Sequence, residues 1–71
     1  MNEEQRMNYE KIIDWCKESF IKCASRIMTE DEWTSTVRVF AARADHTDKA
    51  MREIYLGTLH AIEEYHKEKI K

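Results

Sequence analysis

Apolar residues recur at steps of three and four along most of this chain. The first run is Tyr9, Ile12, Ile13, Cys16, Phe20, Cys23, Ala24 and Ile27. That spacing keeps one side of an α-helix apolar and predicts a first helix over about 2–28. A second run, Trp33, Val37, Phe40, Ala41 and Ala44, predicts a helix over about 30–44. A third, Met51, Ile54, Tyr55, Leu59, Ile62 and Tyr65, predicts one over about 47–69.

The breaks between these runs carry their own signals. Thr29-Glu30-Asp31-Glu32 matches a capping box, in which the Thr29 hydroxyl accepts from the Glu32 amide and the Glu32 carboxylate from the Thr29 amide. Met28 and Trp33 then occupy the two positions of a hydrophobic staple. Past Ala44 the chain turns polar, Asp45-His46-Thr47-Asp48-Lys49, and Asp45 or Thr47 could start a fresh helix. A fused helix from about 30 to 70 would be about 60 Å long and would outrun its partner. A break near Asp45–Thr47 is therefore expected. The tail Lys67-Glu68-Lys69-Ile70-Lys71 sets cations at the negative end of the last helix. The fold expected is an all-α bundle of three antiparallel helices, up-down-up, in one domain over 1–71. The alternative is a long two-helix hairpin, and either could be completed by dimerisation.

Composition narrows the picture. The chain has 71 residues, one Gly and no Pro, which argues against the many turns of an all-β fold. A core of this size is marginal, and oligomerisation is one remedy. No apolar run approaches the roughly 18 residues of a membrane span. The start Met1-Asn2-Glu3-Glu4-Gln5-Arg6 has no apolar stretch of the kind a secretory signal needs. Twelve basic and fourteen acidic residues leave a charge of −2, no footprint for general phosphate binding. Cys16 and Cys23 lie about 10.5 Å apart along one helix, too far to bridge, so free thiols and a reducing cytoplasm are expected. Gly57 falls inside the third helix, where it costs about 1 kcal/mol against Ala; a close helix–helix approach would account for it.

Candidate chemistry is sparse. Glu63 and His66 form a single Glu-x-x-His pair, but a carboxylate-bridged metal site needs a second such pair and further carboxylates. No metal and no cofactor are expected. Both cysteines fall on the apolar stripe and read as core. A Cys–His catalytic pair would need His46, His60 or His66 near a thiol, and no glycine-rich loop completes such a site, so the chain reads as no enzyme. Arg38, Arg43, Lys49 and Arg52 cluster around the second connection, where a helix-turn-helix would touch nucleic acid, although Asp45, Asp48 and Glu53 are interleaved. The stretch Val39-Phe40-Ala41-Ala42-Arg43-Ala44-Asp45-His46 resembles the Ala-Asp-His segment of the Hha/YmoA-type nucleoid modulators, small helical proteins of similar length. Their motif continues with Arg where this chain has Thr47, and no function is carried over from it.

An apolar surplus remains. At 100° per residue Trp15 and Ile21 fall on opposite flanks of the first helix, Val39 falls off the face of the second and Leu56 off that of the third. Trp is enriched at binding hot spots. These four are the expected partner-binding residues. The function expected is a small protein-interaction module, a regulator, inhibitor or adaptor of the kind phages and bacteria often encode. It would bind a second copy or another protein. The alternative is a nucleic-acid-associated modulator using Arg38, Arg43, Lys49 and Arg52.

Overall fold

The computed structural model describes residues 1–69. Three helices make up the fold: α1 (Glu3–Ala24), α2 (Glu30–Asp45) and α3 (Lys49–Lys69). Ile70 and Lys71, the end of the cationic tail, lie outside the described residues.

Each helix start follows from local side-chain chemistry. Asn2 caps α1 by accepting from the Gln5 amide at 2.8 Å, while the Gln5 side chain accepts from the Asn2 amide at 3.1 Å. The Thr29–Glu32 box caps α2 with bonds of 3.1 and 3.2 Å, as the sequence predicts. Asp48, and neither of the expected candidates Asp45 and Thr47, caps α3 by accepting from the Met51 amide at 2.9 Å.

The first helix is shorter than its periodicity. It ends at Ala24 rather than near Met28, and Ile27 is 75% exposed instead of belonging to the core stripe. The Ser25 amide bonds the Ile21 carbonyl at 3.1 Å and its hydroxyl competes for the same oxygen at 2.5 Å. That local bonding closes the last turn, and the released chain carries Met28 back to the core beside Trp33. The second helix does break before the third: the His46 amide bonds Arg43 at 3.2 Å and the helix stops. The two-helix hairpin is thereby excluded.

The three helices run up, down and up, with α3 packed on both others. Tyr9 at the start of α1 donates a hydrogen bond to Asp48 at the start of α3. At the other end, His66 of α3 meets the Cys23 carbonyl of α1 at 2.8 Å. Helices α1 and α3 are therefore parallel, and α2 is antiparallel to both. The core between them is Cys16, Cys23, Phe40, Ala44, Tyr55 and Ile62, with Phe40 and Ile62 fully buried.

Helices α1 and α2 are held apart. Among the described residues no Cα of one comes within 8 Å of a Cα of the other. Large rings fill the space: Trp15 stands 4.9 Å from Phe40 and 5.6 Å from Tyr55, centroid to centroid.

Candidate functional site: the groove between the first and third helices

An apolar groove runs between α1 and α3. Ile13, Phe20 and Ile21 of α1 and Ile54 of α3 supply its large apolar side chains, and Cys16, Gly57, Thr58 and Ala61 are its small residues. The groove holds about 590 Å³ of solvent space, and Lys17 also lines it. Ile13 and Ile21 are 46% and 53% exposed, high for residues of that size. The glycine does not serve packing inside the chain: a Cβ built on it would meet nothing within 4 Å. The close internal helix contact expected at Gly57 is absent, because the residue faces outward into this groove.

The four residues singled out from the sequence do not form one patch. Ile21 lies on the α1–α3 groove. Val39, 47% exposed, lies on a second groove between α1 and α2, which Trp15 also lines. Leu56, 46% exposed, lines neither. Trp15 is half-buried, packed on Phe40 and Tyr55 and covered by the Arg43 guanidinium 4.0 Å above its ring. Periodicity places Ile13 on the core stripe, yet it is exposed, and it does not single out Lys17 or Ala61. Their signal was the outward glycine, which costs helix stability and packs against nothing.

The titratable groups serve the fold. Burial pushes the Cys16 thiol above its ordinary range, with a Thr58 hydrogen bond and the Arg43 charge pulling partly back. Both cysteines are free and buried. His66 donates from Nε2 to the Cys23 carbonyl, near the end of α1 where carbonyls lack helical partners. Glu63 pairs with Lys67 at 3.1 Å, which holds the Lys67 ammonium above its ordinary range. Among the described residues no group of three or more His, Cys, Asp or Glu could hold a metal ion.

Two members of the basic cluster are engaged within the fold. Arg43 lies over Trp15, and Arg52 donates from Nε to the Ala44 carbonyl at 3.4 Å. Arg38 and Arg43 are five residues apart on α2, a turn of about 140°, and so face different directions. Of the segment resembling the nucleoid modulators, Ala44 is buried at 2%, Asp45 ends α2 and His46 caps it. No helix among the described residues is long and apolar enough to cross a membrane. The chain matches no family model, and no curated protein or solved structure is similar to it.

Proposed function

We propose that this chain is a non-enzymatic protein-interaction module, a small regulator, inhibitor or adaptor that works through helical apolar surfaces and self-associates. Its setting would be the reducing cytoplasm, where Cys16 and Cys23 stay thiols. The observation that carries the reading is the α1–α3 groove, where exposed Ile13 and Ile21 border the small residues Gly57 and Ala61. Exposed apolar surface of this kind marks contact sites, and a residue with no side chain lets another backbone approach closely.

Covalent capture tests it. A photo-reactive residue placed at Ile21 in living cells should give a protein adduct on irradiation. The same residue at the exposed Thr34 on α2 should give none. Absence of any adduct at position 21 would remove the reading.

A further inference from the structure

The α1–α3 face is divided by size and by charge. Ile13, Lys17 and Ile21 follow one another at four-residue steps on α1 and form a row of large side chains. Glu53, Gly57 and Ala61 follow at the same step on α3 and form a row with a hollow in it. Among the described residues nothing comes within 4 Å of a Cβ placed at Gly57. Lys17 and Glu53 make no ion pair among the described residues.

The two rows are also level. Tyr9 bonds Asp48, the Trp15 ring is 5.6 Å from Tyr55, and Cys23 meets His66. Positions 39 to 43 apart therefore share a height on these parallel helices. Lys17 stands level with Gly57 and Thr58, and Ile21 with Ala61 and Ile62.

Resting on the interaction reading above, we propose that this face binds a second copy of the chain about a twofold axis running along the groove. That axis lays α1 of each copy over α3 of the other at equal height. Ile21 enters the shallow ground at the partner's Ala61. Lys17 crosses the partner's Gly57 and reaches the partner's Glu53 one helical turn away. An axis across the helices would instead lay α1 on α1 and α3 on α3, large row on large row, with no such fit. The contact is isologous, so it closes at two copies. The molecule measures 44 × 18 × 14 Å, so a whole long side spans about 600–800 Å² and sets the upper limit of the contact. A standard interface buries about 800 Å² per partner.

Light scattering on the full chain over a dilution series, with circular dichroism of each variant, tests this. The wild type should weigh twice 8.6 kDa and dissociate on dilution. A Cβ at position 57 meets nothing in the monomer and Leu is a far better helix former than Gly, so Gly57→Leu should keep its helicity and raise the dimer dissociation constant at least about tenfold, a loss of about 1.4 kcal/mol. Lys17→Glu should weaken the dimer several-fold, and Lys17→Glu combined with Glu53→Lys should restore it. A wild type that stays monomeric up to about 1 mM overturns the proposal, as does a dimer indifferent to Gly57→Leu. A double charge swap no better than Lys17→Glu alone overturns the axis. The adduct at position 21 separates the two readings. An adduct of two copies supports both, one with a different protein overturns only the second copy, and none overturns both.

Discussion

Trp15 of α1 lies ring to ring with Phe40 of α2, 4.9 Å between centroids, across a gap that the two backbones leave open. The pair does for α1 and α2 what direct helix packing does for α3 with each of them. Aromatic pairs of this kind add about 0.5–1.5 kcal/mol beyond the area they bury. The Arg43 guanidinium above the indole adds about 0.5–1 kcal/mol more.

Trp15→Ala should therefore lower unfolding stability by about 3 kcal/mol, the lower end for removing a large aromatic, because the ring is only half-buried. Trp15→Phe should cost much less. A domain of this size has roughly 5 kcal/mol in all. Urea unfolding followed by circular dichroism would read both. If Trp15→Ala leaves the midpoint unchanged, the ring contributes to an outside contact and not to the bundle.

Gly57→Ala should do the opposite. The helix interior disfavours Gly by about 0.5–1 kcal/mol against Ala, and an added Cβ meets no atom within 4 Å. Unfolding measured at high dilution should show a gain of that size, a rise of about 4–8 °C in Tm per kcal/mol for a chain this short. A loss of stability at high dilution would show that Gly57 is needed inside the fold.

How much of this was legible in the sequence depends on how local each cause is. The cap at Thr29 was readable because its partner, Glu32, is three residues away. The all-α bundle was readable because the apolar period is regular over three long segments. The end of α1 was not: Ile27 continues the period, while Ser25 closes the helix through bonds that periodicity does not see. Asp45, Thr47 and Asp48 could each cap α3 by type, and the choice of Asp48 goes with its bond to Tyr9, 39 residues away. The groove was half legible. Ile21 stood out on a flank, but Ile13 fell on the expected core stripe. A single stripe per helix misjudges α1, which packs directly on α3 and reaches α2 only through its rings, and for the same reason it put Trp15 outside.

The thiols give a separate check. Cys16 is 3% exposed and Cys23 8%, and burial disfavours the Cys16 thiolate, which is the form that reacts. Both should label slowly with a thiol reagent in the native protein at neutral pH and at once in denaturant. Fast native labelling of Cys16 would mean that the α1–α3 groove opens as far as that thiol.

The Tyr9–Asp48 bond gives the stability of the fold a pH dependence. The Tyr9 hydroxyl donates to the Asp48 carboxylate, and that bond, with the Met51 amide, holds the Asp48 pKa below its ordinary 3.8. A carboxyl depressed by folding contributes stability above its unfolded pKa and loses it as pH falls through the folded one. The same bond raises Tyr9 above its ordinary 10.0. A phenol raised by folding contributes stability below its unfolded pKa and loses it as pH rises through the folded one. Melting temperature should therefore fall below about pH 4 and again above about pH 10. Glu32, depressed chiefly by its bond to the Thr29 amide, shares the acid limb. Tyr9→Phe separates the contributions: it should abolish the alkaline limb that this bond causes and leave part of the acid one, because Asp48 still caps the Met51 amide. Asp48→Asn should flatten both, and Asp48→Ala should lower the melting temperature further by removing the cap as well. Identical pH profiles for Tyr9→Phe and the wild type would show that the bond does not join α1 to the start of α3 in solution.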